Sequence, residues 1–82
     1  MKRLKVHERI HHGNYINDRT EVIDATWDGW CAFLQSSPYP SAQRDPGQNP
    51  FLAMAFAKLL TTGKTGHGWA NFTVLETIID EH

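Results

Sequence analysis

Residues 3–10 read Arg-Leu-Lys-Val-His-Glu-Arg-Ile, with Leu4, Val6 and Ile10 alternating against Arg3, Lys5, His7 and Arg9. A period of two is the signature of a strand with one buried face, and Glu8 is the one defect in it. His12-Gly13-Asn14 carries turn chemistry. Residues 20–25, Thr-Glu-Val-Ile-Asp-Ala, give a second short strand, and a hairpin with a loose loop joins the two.

The period then lengthens. Thr26 supplies an N-cap, Asp28 places a negative charge in the first turn, and Trp27, Trp30, Cys31 and Leu34 fall on one apolar stripe. Both tryptophans are assigned to the core. Gly29 weakens this helix by about 1 kcal/mol relative to Ala. The helix ends at Ser36 or Ser37, before Pro38. Residues 37–49 hold three prolines and a glycine and form an irregular stretch. Asn49-Pro50 then opens a second helix, Asn as the cap and Pro at the first position. Phe51, Leu52, Ala55, Phe56, Leu59 and Leu60 make its buried face, and Gly63 ends it as a left-handed cap.

A linker over 64–68 leads to residues 69–79, rich in β-branched and aromatic side chains and read as the third strand. Ala70, Phe72, Val74 and Ile78 are placed towards the helices; Trp69, Asn71, Thr73, Leu75 and Thr77 are placed outward. The pattern predicts an α+β domain over residues 1–82: a two-layer β-β-α-α-β arrangement, with a three-stranded, mainly antiparallel sheet and two helices on one face.

The formal net charge of −1 argues against a general nucleic-acid binder, which carries a strong basic excess. The charge is unevenly distributed: residues 1–19 sum to +3 and residues 20–37 to −3. With Cys31 as the one cysteine, no intrachain disulfide is available, which suits a reducing, cytoplasmic compartment. No stretch reads as a signal peptide, and no apolar run approaches the roughly 20 residues of a membrane span.

Several motifs invite chemistry and fall short of it. His7 and His11 share a strand face but stand about 13 Å apart at ~3.3 Å per residue, too far for one ion. Gly63-Lys64-Thr65 resembles the end of a phosphate loop, yet Lys58 occupies the position of the required earlier glycine and a helix precedes it. Cys31 lies on the apolar stripe of a helix, where a structural thiol is the ordinary occupant. Glu8 and Glu76 interrupt apolar strand faces and are read as solvated or as paired with Arg3 or Arg9. The chain is therefore read as non-enzymatic, with no catalytic residue, no metal site and no cofactor.

Two candidate contact surfaces remain. One is the outward sheet face, with Arg3, Lys5, His7 and Arg9 on one strand and Trp69 on another. The other is the 37–49 stretch, where Tyr39 and Arg44 are residue types favoured as binding anchors. Basic and aromatic groups on an uncovered sheet suit an acidic protein surface, and in the alternative a single-stranded nucleic acid. An edge strand in so small a sheet also offers a route to a homodimer.

The segment Asn49-Pro50-Phe-Leu-Ala-Met-Ala-Phe-Ala-Lys-Leu-Leu resembles the corresponding helix of small lambdoid-phage accessory proteins of the NinX-like kind. The short, near-neutral α+β layout is similar in type to phage-encoded inhibitors of bacterial defence, including anti-CRISPR proteins. The resemblance implies a protein of the host cytoplasm that occludes a bacterial nuclease complex or its nucleic-acid-binding surface.

Overall fold

The computed structural model describes residues 1–37 and 49–79. The order of elements is β1 (Lys2–His12), β2 (Tyr15–Asp24), α1 (Trp27–Gln35), α2 (Phe51–Thr62), β3 (Lys64–His67) and β4 (Ala70–Ile79). The fold is α+β, with an antiparallel sheet and two helices. The sheet has four strands, in the order β2-β1-β4-β3, where the sequence predicted three. The additional strand is β3, the segment expected to be a linker. It is four residues long and contains Gly66, so it shows no hydrophobic period; its pairing with β4 is what makes it a strand.

Both hairpins are tight. Gly13-Asn14 joins β1 to β2 and Gly68-Trp69 joins β3 to β4, each with the glycine first, at φ 61° and 59°. A two-residue loop favours a positive φ at that position, which glycine adopts without strain. The loose loop expected between the first strands is therefore replaced by this turn, and β2 begins at Tyr15 instead of Thr20.

The turn fixes the register. His12 pairs with Tyr15, and the ladder runs through Glu8↔Arg19 to Arg3↔Asp24. On its other side β1 pairs with β4, from Ile10↔Ala70 to Val6↔Val74 and, beyond an irregularity, from Lys5↔Glu76 to Lys2↔Ile79. Leu75 is the extra residue, a β-bulge, and the alternation of β4 changes phase there. Ile78, expected to face the helices, stands opposite Arg3 on the outward side, and Thr77 takes the inward position opposite Leu4.

Leu4, Val6, Ile10, Ile23, Ala70 and Phe72 from the sheet form one core with Trp30, Phe33 and Leu34 of α1 and Leu52, Ala55 and Leu59 of α2. Trp30 is its hub. It is 0% exposed, meets Phe72 edge-on at 5.0 Å and Phe56 stacked at 5.6 Å, and donates from Nε1 to the Leu52 carbonyl at 3.2 Å. Trp27, placed in the core from sequence, is instead partly exposed at the helix start and packs on Phe56. Phe51 and Leu60 are also exposed, because α2 lies over the narrow β3 edge and only Leu52, Ala55 and Leu59 point fully inward.

The helix ends follow local chemistry. Thr26 accepts from the Gly29 N–H at 3.1 Å. Asn49 Oδ1 accepts from the Phe51 N–H at 3.0 Å, its carbonyl accepts from the Leu52 N–H, and Gly63 closes α2 at φ 77°. Gly29 has a second reason to be glycine. A Cβ there would stand 2.3 Å from the Asp24 carbonyl oxygen, so its absence lets α1 lie against the end of β2.

Candidate functional site

Because Leu4, Val6, Glu8 and Ile10 point to the helices, the intervening Arg3, Lys5, His7 and Arg9 point to the opposite face of β1. β1 is an inner strand, so this row runs along the middle of the face rather than its edge. Successive members are about 7 Å apart.

The neighbouring strands contribute carboxylates. Asp24 stands opposite Arg3 and Asp18 opposite Arg9 on β2, while Glu76 stands opposite Lys5 on β4. Asp18 Oδ1 lies 2.9 Å from His7 Nε2. Among the described residues no carboxylate forms an ion pair with Arg3, Lys5 or Arg9. Ile16, Thr20 and Val22 of β2, Asn71, Thr73 and Ile78 of β4, and Lys64 and Gly66 of β3 share this face. The face thus alternates in sign across the strands instead of presenting a uniform basic stripe.

Glu8 lies on the other side of β1. It is 0% exposed and accepts from Arg19 Nε at 2.8 Å. Its partner is therefore neither Arg3 nor Arg9, which share the opposite face of the strand. Arg19 also donates from Nη1 to Glu21 at 3.2 Å and to Ser36 Oγ at 2.9 Å, and from Nη2 to the Phe33 carbonyl, while its guanidinium sits 4.1 Å from the centre of the Phe33 ring. These contacts join β1, β2 and the end of α1. The pair follows from the turn: once His12 meets Tyr15, Arg19 must meet Glu8, so Gly13-Asn14 read as a two-residue loop would have located it.

Trp69 occupies the second position of the β3–β4 turn and is half-exposed, stacked on His12 with ring centroids 3.9 Å apart. Its carbonyl accepts from the His11 N–H at 2.9 Å. His12 follows the alternation of the inward residues, so this stack closes the turn end of the sheet and stands apart from the Arg3–Arg9 row. Tyr39 and Arg44 lie outside the described residues.

Among the described residues no group of three His, Cys, Asp or Glu side chains is arranged to hold a metal ion, and no helix is long and apolar enough to cross a membrane. Cys31 is half-buried on α1. No protein-family model matches the chain, and no curated protein or solved structure is significantly similar to it.

Proposed function

We propose that the protein is a small binding protein that occludes a macromolecular partner with the open face of its sheet. The partner in this reading is a protein, and a bacterial defence nuclease is the form suggested by the phage-type resemblance. The observation that supports it is the central row of Arg3, Lys5, His7 and Arg9, interleaved with Asp18, Asp24 and Glu76 on the adjoining strands. Charges of both signs held in register on a rigid sheet suit another folded surface, where complementary pairs set orientation and reject wrong partners. A phosphate backbone rewards an uninterrupted cationic track. The second reading, a nucleic-acid-binding module, draws its support from Arg3, Lys5 and Arg9, whose charges are not neutralised by an ion pair within the described residues.

The test is capture from a bacterial lysate with the intact protein, followed by reconstitution with the purified partner. Lys5→Glu with Arg9→Glu is expected to weaken that complex by about tenfold or more, while Lys58→Glu on α2 leaves it unchanged. A complex indifferent to both changes, or capture of no protein at all, overturns the reading. Retention of oligonucleotides at low salt, falling steeply as salt rises, transfers support to the nucleic-acid alternative.

A further inference from the structure

The backbone of β2 is half-used. Antiparallel partners alternate between residues that exchange hydrogen bonds and residues that do not. The Ala25 N–H donates to the Lys2 carbonyl at 3.0 Å, which sets the phase of the β1–β2 ladder. Tyr15, Asn17, Arg19, Glu21 and Ile23 therefore bond to β1. Ile16, Asp18, Thr20, Val22 and Asp24 direct their N–H and C=O groups away from the sheet, and β2 is an edge in the order β2-β1-β4-β3. The strand is ten residues long and contains neither proline nor lysine, two of the devices that commonly block such an edge. The opposite edge, β3, is only four residues long.

We propose that β2 pairs antiparallel with β2 of a second copy of this chain, about a two-fold axis at Arg19, joining two sheets into one. The argument is the self-complementarity of the segment. Read outward from Arg19, it has Asp18 and Thr20, then Asn17 and Glu21, then Ile16 and Val22, then Tyr15 and Ile23. An axis at Arg19 sets Ile16 against Val22 of the copy and Val22 against its Ile16, apolar on apolar. These side chains are 51% and 48% exposed in the single chain. Asp18 faces a threonine hydroxyl and Tyr15 faces isoleucine, each pairing made twice. The residues brought into bonded positions are Ile16, Asp18, Thr20 and Val22, whose backbone groups point outward.

The central Arg19 meets its own symmetry mate, and its charge is already answered within each chain by Glu8 and Glu21. The same edge carries the open groove between β2 and α1, about 570 Å³, whose lining includes Val22, Ile23, Ala32 and Phe33. The copy would close it. The open face is left free and doubled in extent, so the dimer is compatible with the binding role but does not depend on it.

The experiment combines sedimentation with residue-resolved amide exchange on the intact protein over roughly a hundredfold range of concentration. A dimer is expected, in which the amides of Ile16, Asp18, Thr20 and Val22 gain protection as concentration rises while those of Gly66 and Lys64 on the other edge do not. Ile16→Lys with Val22→Lys sets lysine against lysine twice and is expected to weaken dimerisation at least about tenfold. Both side chains lie outside the core, so an unchanged circular dichroism spectrum shows that the variant is folded. A protein that stays monomeric with those four amides unprotected overturns the proposal. So does a dimer that the double variant leaves intact, which would place the interface elsewhere. Protection of the same amides by a captured partner in an equimolar complex, without self-association, would assign the edge to that partner and likewise overturn it.

Discussion

Arg19 reaches across from β2 to hold the carboxylate of Glu8, donating from Nε to Oε1 at 2.8 Å on the inward side of the sheet. A carboxylate with no exposed surface, flanked by Val6 and Ile10 on the same face, is stable there because a cation and its hydrogen bonds accompany it. Breaking the pair from one side leaves a buried charge behind. Arg19→Met is expected to cost about 3–5 kcal/mol, a large part of the stability of a domain this size. Arg19→Met combined with Glu8→Leu is expected to recover most of that loss, because neither charge of the pair then remains. Urea unfolding of the two variants beside the parent checks both statements.

Gly29 reverses the ordinary rule of helix propensity. Ala is favoured over Gly in a helix by about 1 kcal/mol, yet a methyl group at this position would stand 2.3 Å from the Asp24 carbonyl oxygen. Gly29→Ala is expected to destabilise the protein by about 1–3 kcal/mol, the range for an overpacked site, through displacement of α1 from β2. A thermal melt showing a rise in Tm would contradict the close approach.

Trp30 ties the sheet to both helices. Trp30→Ala is expected to cost about 3–5 kcal/mol. Trp30→Phe keeps much of the ring and loses the hydrogen bond to the Leu52 carbonyl, so a smaller loss of about 1–3 kcal/mol is expected. Denaturant unfolding separates the two; equal losses would mean that the indole N–H, and not the packing, carries the effect.

Charge reversal on the open face should be nearly silent for folding. Lys5→Glu places a second carboxylate opposite Glu76, a like-charge cross-strand pair that costs up to about 1 kcal/mol. Glu76→Lys in the same chain is expected to restore the loss, and a double-mutant cycle measures the coupling. These small values are what permit Lys5→Glu to serve as a binding variant that remains folded.

Much of this architecture is legible in the sequence because the responsible patterns are local. Leu4, Val6 and Ile10 announce β1, Thr26 and Asn49-Pro50 mark the helix starts, and Gly63 marks an end. The strand β3 was hidden because Lys64-Thr65-Gly66-His67 has no periodicity of its own. The first half of β2 was hidden for a related reason: Asn17, Asp18 and Arg19 are polar residues, and Arg19 takes an inward position only through the register that sets it opposite Glu8. The bulge at Leu75 leaves no local mark, so extending the alternation of Ala70, Phe72 and Val74 misplaced Ile78. On the candidate face, the row from Arg3 to Arg9 was readable. Its carboxylate neighbours were not, since Asp18 and Asp24 depend on the register set by the first turn and Glu76 on the long-range pairing of β1 with β4 and its bulge.

The extra residue in β4 also divides responsibility along one strand. From Ala70 to Val74, every second side chain answers to the helices, and substitution there is a question of stability. Past Leu75 the assignment inverts, so Glu76 and Ile78 belong to the exterior beside Lys5 and Arg3. A single insertion thus lets ten consecutive residues serve two masters without compromise between them.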